Sequence, residues 1–376
     1  MTNKTADESA RPIRVAYTLE QCWHPSPGGT ARAALRIARV LEADPEVEIH
    51  QVAGRHALTP TADFRPTGKV AMLPLARPWL YETWTRLNWP KVESVIGPID
   101  VAHATGLVPC GTAAPLVVTL HDLAFVHDPD MFSSHGVRVM MRSLEVIKRR
   151  ADRILCPSQA TIDDCIEAGI DATKLRLVPL GVDGRVATPF AVERVKRNYQ
   201  LPDDFVLFVG TIEPRKNLAR LVAAMATRSP DQPLVVAGAP GWGDAAPQAG
   251  TPNVRFLGYV PDADLGPLYA AATVFAYPSE REGFGLPVAE AMLQGTPVVT
   301  SSGTSTEEVA DGAAVLVDPR NVASIADGID EANDRSSELA ALGTRRAGEL
   351  TWTAAAERTR DVYRELAPAG GDAMEP

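Results

Sequence analysis

The chain of 376 residues is poor in cysteine, and its four cysteines (Cys22, Cys110, Cys156, Cys165) show no C-x-x-C spacing. That argues against a zinc cage or redox pair and for four indifferent or buried thiols in a reducing, cytoplasmic setting. Apolar runs approaching the ~20 residues of a membrane-spanning helix are absent. Met1 to Arg11 lacks the apolar core of a secretory signal and reads as a disordered leader, as does the tail from Ala367 to Pro376. Positive charge is also short. Lys plus Arg total 37 against 47 Asp plus Glu, a net charge of −10 that excludes a surface gripping nucleic acid throughout. Any phosphate site must be local. The hydrophobic fraction of 45% and charged fraction of 22% exclude general disorder, collagen and coiled coil. The length suits about two domains at roughly 150 residues each.

Strand-like and helix-like runs alternate almost throughout. Strands are expected at Ile13–Tyr17, Val47–Ala53, Val101–Ala102, Leu116–Leu120 and Arg153–Cys156. Helices are expected at Thr30–Leu41, with Thr30 as N-cap, and at Val139–Arg150 and Ala160–Ala168. The series restarts after Val178-Pro-Leu-Gly-Val-Asp183. Strands follow at Phe205–Val209, Leu234–Ala237, Val254–Phe256, Val274–Ala276, Val298–Thr300 and Ala314–Val317, interleaved with helices at 217–226, 262–272, 287–294, 306–310 and 322–333. This order implies two doubly wound α/β domains, 12–183 and 184–353, with parallel sheets and a hinge near residue 183. A last helix, Ala354 to Leu366, lies beyond the final strand. Open α/β sheets bind ligands at strand carboxyl ends, so the cleft between the two domains is the expected site.

Four loops at such ends carry polar chemistry. Pro27-Gly28-Gly29-Thr30 opens a helix whose N-terminus favours an anion, although a simple turn fits equally well. Gly210-Thr-Ile-Glu-Pro-Arg215-Lys216-Asn217 follows a strong strand. Its adjacent cations suit a diphosphate, Arg215 bidentately and Lys216 as a point charge, against the bland alternative of a solvated pair. In Pro278-Ser-Glu-Arg-Glu282-Gly283-Phe284-Gly285-Leu286-Pro287-Val-Ala-Glu290, Pro287 suits a first helical turn. Free amides of Phe284, Gly285 and Leu286 would then face an anion or sugar hydroxyls. Glu282 and Glu290, eight residues apart, reach different parts of one elongated ligand. Lastly, Val117-Val-Thr-Leu-His121-Asp122 delivers His121 to a strand end, where it is either a donor to the reacting centre or a core histidine held by Asp122. His103 has the same two readings, and His127 is weaker.

Trp79, Tyr81, Trp84 and Trp89 crowd one segment, where packing of an irregular helix is set slightly ahead of sugar stacking or a membrane interface. Arg138, Arg142, Lys148, Arg149 and Arg150 form a basic face opposite Met141, Leu144 and Ile147. A solvated face is the simpler reading, and peripheral membrane contact stays open.

The run Glu282-Gly-Phe-Gly-Leu-Pro-x-x-Glu290 resembles the E-x(7)-E signature of retaining glycosyltransferases of family 4. Gly210-Thr-Ile-Glu-Pro-Arg-Lys-Asn, the His121-Asp122 strand end, Val178-Pro-Leu-Gly-Val-Asp183 and Gly258-Tyr259-Val260-Pro-Asp resemble that family too, in its order, from about Val15 to Ala356. The resemblance implies a GT-B fold, with an N-terminal acceptor domain, a C-terminal nucleotide-sugar domain and a final helix (354–368) crossing back. It implies no metal and no cofactor beyond the donor substrate. Gly28 and Gly29 would approach the phosphate, Gly29 through its N–H, and Arg215 and Lys216 would clamp the diphosphate. Glu282 would hold donor-sugar hydroxyls, and the amides of the Gly283–Leu286 turn would contact sugar and phosphate. Glu290 would take the ribose hydroxyls, His121 would contact the donor sugar, and the loop with Gly258, Tyr259 and Val260 would border the base. The implied reaction is retaining hexosyl transfer from GDP-mannose, or next from a UDP-sugar, to a glycan, glycolipid or small molecule.

Two features depart from the pattern or escape it. Asp311-Gly312 stands where the family often has Gly-Asp, which is expected to alter a turn. The loop Glu20-Gln-Cys-Trp-His-Pro25 has no assignment and is left as a candidate shaper of the acceptor site. Competing readings are a non-catalytic nucleotide-sugar-binding partner protein and a nucleotide-sugar epimerase. A phosphorylase lacks its pyridoxal lysine site here, and a dehydrogenase lacks G-x-G-x-x-G after the first strand.

Overall fold

A computed structural model describes residues 11–24, 27–228, 231–239 and 253–368; the leader at 1–10, Pro25 and the tail beyond 368 lie outside the described residues. In the first half, β1 (Ile13–Thr18), β2 (Val47–Ala53), β3 (Ala71–Met72), β4 (Val101–Ala104), β5 (Leu116–Thr119), β6 (Arg153–Cys156) and β7 (Leu175–Leu177) form one sheet, ordered β3-β2-β1-β4-β5-β6-β7. In the second, β8 (Val206–Val209), β9 (Leu234–Ala237), β10 (Val254–Gly258), β11 (Val274–Tyr277), β12 (Val298–Ser301) and β13 (Val315–Val317) are ordered β10-β9-β8-β11-β12-β13. All pairings are parallel. Every residue of β4, β5, β8, β9, β11 and β12 is buried, the mark of strands covered on both faces. Each sheet reverses its strand order once, between β1 and β4 and between β8 and β11. At such a switch point neighbouring loops turn opposite ways and leave a crevice.

Local chemistry corrects several sequence expectations. The first helix runs Gly28–Leu41 with Pro27 at its cap and no side-chain cap bond, so Thr30 lies inside the first turn. Gly28 makes the earlier start possible, because it adopts φ +61°. Helices also form at Pro189–Asn198 and Ser336–Glu349, which the sequence reading left out. Of the three apolar residues assigned to the inner face of the basic helix (now Ser134–Arg150), Leu144 and Ile147 are buried but Met141 is exposed. Three of its cations are engaged, Arg142 with Glu82 at 2.6 Å, Lys148 with Glu145 at 2.6 Å and Arg150 with Asn88 at 2.5 Å. Trp84 is buried and its Nε1 donates to the Pro90 carbonyl at 2.9 Å, whereas Trp79, Leu87 and Trp89 stand exposed. The four cysteines are free and buried. Asp311 and Gly312 both take positive φ (+45° and +80°) in the turn that ends the helix Ser305–Ala310. The altered order thus places an L-residue in the left-handed region that Asp tolerates.

The two lobes are tied where the chain crosses twice. The Val182 amide donates to Leu350 at 3.0 Å, and the helix Trp352–Leu366 then returns to pack on Gly28–Leu41. Arg360 on that helix pairs with Asp44 at 2.8 Å. Tyr363 meets His103 Nδ1 at 2.6 Å, while Thr119 meets Nε2 at 2.7 Å. Burial drives the His103 pKa down to about 3, so it is a neutral core histidine.

Gly181 sits at the crossing, where an added Cβ would fall 2.1 Å from the backbone nitrogen of Trp352. Backbone cannot yield as a side-chain tip can, so Gly181→Ala is expected to cost about 3 kcal/mol, visible as a lowered Tm. Gly184→Ala, where a Cβ meets nothing within 4 Å, serves as the control and should leave Tm unchanged.

Candidate active site

Loops at the carboxyl ends of both sheets converge on a cleft of about 360 Å³. The first lobe contributes Gly28, Gly29, Arg32 and His121. The second contributes Arg215, Lys216, Tyr259, Val260, the turn Glu282–Leu286 and Glu290. Sequence-designated residues from five separate loops therefore meet in one place. Gly258 does not line the cleft: it ends β10 at φ +71° and its carbonyl accepts from the Gly238 amide at 2.8 Å.

The loop after β8 delivers the cations. Arg215 Nε donates to Glu213 at 2.9 Å and its Nη1 pairs with Glu282 at 2.9 Å. Burial opposes the Arg215 charge, but Glu282, Asp122 and Glu213 more than offset that, and its pKa rises well above the usual value. Lys216 is buried, lines the cleft and forms no ion pair among the described residues. Burial lowers its pKa, with Glu282 and Glu213 compensating only partly and Arg215 adding repulsion.

The loop after β11 delivers the acids. Glu282 is largely covered and lies against Tyr277, whose hydroxyl donates to it at 2.7 Å. Burial pushes this carboxyl up, but Arg215, Lys216 and the Tyr277 bond outweigh it and the net pKa is lowered, so Glu282 is an anion. Glu290 lies one helix further in. Its Oε1 pairs with Arg32 of the other lobe at 2.6 Å, and its Oε2 accepts from Tyr269 at 2.9 Å. Tyr277, Tyr269 and Arg32 were not singled out from the sequence. The tyrosines look like ordinary core residues of a strand and a helix, and Arg32 like part of a solvated arginine face.

Two glycines make the turn between the acids possible. Gly285 caps the helix Leu286–Leu293 at φ +101°, a conformation that L side chains rarely adopt. At Gly283 a Cβ would lie 1.8 Å from the His121 carbonyl oxygen, so only glycine lets the lobes touch here. Ser158 donates to the Gly283 carbonyl at 2.7 Å. The first intrahelical bond is Val288 to Gly285 at 2.9 Å, which leaves the Phe284, Gly285 and Leu286 amides ahead of it, in the cleft wall. Pro287 occupies the first turn, as its residue type suggests.

His121 is not held by Asp122. Its Nε2 bonds the Thr105 carbonyl at 3.2 Å, and since a carbonyl only accepts, Nε2 carries the proton. Burial lowers its pKa against the opposing effects of Thr105 and Asp122. The neutral ring then presents Nδ1 as an acceptor, opposite to the donor role the sequence suggested. Among the described residues one group, His127, Asp164 and Glu167, brings metal-ligand atoms within 4.8 Å of one another. None of them lines the cleft, and Arg281 already holds Asp164 at 3.2 Å.

Known proteins resemble this chain in sequence and fold. Glycosyltransferase Family 4 matches residues 27–185, and Glycosyl transferases group 1 matches residues 190–346. The chain is 36% identical over 277 residues to the O-antigen chain mannosyltransferase B of Escherichia coli, spanning 66% of this chain and 70% of that protein. It is 32% identical over 285 residues to the D-inositol 3-phosphate glycosyltransferase of Corynebacterium jeikeium, spanning 68% of each. The crystal structure of Anabaena HepE in complex with UDP and glucose matches with a TM-score of 0.71 at 19% identity, over 94% of this chain and 100% of that one. WaaG, a glycosyltransferase involved in lipopolysaccharide biosynthesis, matches with a TM-score of 0.71 at 17% identity, over 96% and 100%. With two facing parallel-sheet lobes the fold is GT-B, and the chain belongs to the family 4 glycosyltransferases, enzymes that use a nucleotide-sugar donor.

Proposed function

We propose that this protein transfers a hexose with retention of anomeric configuration, without a metal ion, from GDP-mannose to a hydroxyl of a glycan, glycolipid or small molecule. The observation that carries the reading is Lys216, a buried ammonium in the cleft wall with no ion pair among the described residues. A diphosphate is the ligand that would restore its balance, with Arg215 beside it and the turn amides of Phe284, Gly285 and Leu286. These groups would neutralise the departing diphosphate, the part a metal plays elsewhere. Glu282, ionised and set between Arg215 and Tyr277, would accept from donor-sugar hydroxyls, and neutral His121 would accept another at Nδ1. Glu290 would take the ribose hydroxyls, and Tyr259 and Val260 would border the base. The bond from the anomeric carbon to the phosphate oxygen breaks as the acceptor oxygen bonds the same face, and the acceptor proton passes to the departing phosphate oxygen. No protein nucleophile is required.

The mannosyltransferase name of the Escherichia coli relative favours GDP-mannose. The UDP and glucose bound by Anabaena HepE keep UDP-sugars second. Among the described residues no helix is long and apolar enough to cross a membrane. The exposed face with Trp79, Leu87 and Trp89 is where we place any contact with a lipid-linked acceptor.

Thermal-shift titration with GDP, UDP, ADP and their sugars tests the donor, since a ligand stabilises the native state according to its affinity. GDP-mannose should give the largest rise in Tm; a larger rise with a UDP-sugar would transfer the proposal to that donor. Inverted product stereochemistry by NMR, or loss of turnover in EDTA, would refute the mechanism. Lys216→Ala should lower turnover about 100-fold or more with the Tm nearly unchanged, whereas Glu282→Gln should lower turnover as far and also lower the Tm, because it takes from Arg215 one of its two acids. Because burial lowers the Lys216 pKa, its charge is lost as pH rises, earlier than for a free lysine. The pH–rate profile should therefore fall on the alkaline side, and Lys216→Arg should move that limb upward.

A further inference from the structure

Arg32 projects from the first-lobe helix Gly28–Leu41, and its charged partners lie on the other lobe. Its Nη1 meets Glu290 Oε1 at 2.6 Å and its Nη2 meets Asp262 Oδ1 at 2.5 Å. Burial disfavours the guanidinium charge, but Glu290 and Asp262 outweigh burial and raise the pKa. Both acids belong to the second lobe, so the fork exists only while the cleft is closed. Without it, Glu290 and Asp262 would be left near each other with no cation between them.

The Glu290 carboxylate is also measured out for one more ligand. A carboxylate has about four lone-pair sites, two on each oxygen. Arg32 occupies one on Oε1 and Tyr269 one on Oε2 at 2.9 Å. One site per oxygen remains, the pattern that a vicinal diol fills with two parallel hydrogen bonds. Arg32 lines the cleft together with Glu290.

We propose that Arg32 is a positioning residue for the donor: its fork to Glu290 and Asp262 fixes the carboxylate that receives the ribose diol and so couples closure of the lobes to nucleoside binding. This rests on the reading that Glu290 faces the ribose. Arg36, which meets Asp183 at 2.6 Å and Asp262 at 3.8 Å, strengthens the same seam without touching Glu290.

The test uses the full chain as wild type, Arg32→Gln, Arg32→Lys, Glu290→Gln and the Arg32→Gln/Glu290→Gln double variant, with circular dichroism and Tm confirming each fold. Small-angle X-ray scattering of the unliganded proteins reads closure. Calorimetric titration with GDP, UDP and inorganic pyrophosphate reads binding. Arg32→Gln should enlarge the radius of gyration and weaken the nucleoside diphosphate about tenfold, with a clearly smaller loss for pyrophosphate, which has no ribose to offer Glu290. Arg32→Lys should recover part of the loss, and the double variant should lose no more than either single one. An unchanged radius with unchanged nucleotide affinity would overturn the proposal. So would an equal loss for pyrophosphate, additive losses in the double variant, or tighter nucleotide binding by Arg32→Gln. If the wild type binds neither GDP nor UDP, the ribose reading of Glu290 fails, and scattering alone decides whether Arg32 holds the lobes together. If Arg32→Gln does not fold, Glu290→Gln must show the same expansion and the same nucleoside-selective loss, or the proposal falls.

Discussion

Arg215, Lys216 and Glu282 place two cations and an acid where water is scarce, and the geometry of the cleft follows from keeping them there. Removing an ion from water costs on the order of several kcal/mol even after relaxation, so each buried charge needs a partner. Arg215 has Glu213 and Glu282 within 2.9 Å, and Glu282 has Arg215 and Tyr277. Lys216 has only longer-range attraction to the same acids, offset in part by Arg215, and its pKa falls in consequence. The cluster is therefore balanced for its own acids and short of an anion at one point. In the proposed reaction a diphosphate would supply that anion, and the same field that held it would stabilise the charge growing on it.

Such a cluster could not form on one loop. Arg215 and Lys216 follow β8, and Glu282 follows β11, the two strands that flank the switch point of the second sheet. Adjacent strands whose connections leave in opposite directions bring their following loops side by side with room between them. The Asn217 side chain then ties the two loops, donating to the Pro278 carbonyl at 2.9 Å. Asn217 itself adopts φ +61°, which turns the chain from the cation loop into the helix Leu218–Ala226.

Much of this is legible in the sequence itself. Val47–Ala53, Arg153–Cys156 and Leu234–Ala237 form strands over the residues expected, because short apolar, β-branched runs between turn residues have few other uses in a packed chain. The edge strands Ala71–Met72 and Leu175–Leu177 were missed, being too short to show a period. Ser336–Glu349 was missed because Gly343 breaks a helical reading, yet a Cβ there would meet Met292 at 3.3 Å, so the glycine admits a close helix crossing that only tertiary structure reveals. At the site, residues in loops after strands were found by their type, whereas the residues that fix them were not. Tyr277 bonds Glu282 and Tyr269 bonds Glu290 through hydroxyls at the ends of otherwise apolar side chains. Arg32 acts on an acid 258 positions away. No local pattern carries information over that span.

The contact at Gly283 shows why the lobes have to be considered together. With a Cβ forbidden by the His121 carbonyl, and with Ser158 and Thr161 donating to the Gly283 carbonyl at 2.7 and 3.2 Å, the acidic turn of the second lobe seats directly on the first. Glu308 adds to the seam by accepting from the Gln159 and Ala160 amides, at 2.7 Å each, at the start of a first-lobe helix. A carboxylate there meets the positive end of the helix dipole, a favourable placement that is lost when the lobes separate. His121, the one designated imidazole in the cleft, thus lines it beside the same contact that seats Glu282. The contact that joins the lobes is therefore also the one that completes the cleft wall between His121 and Glu282.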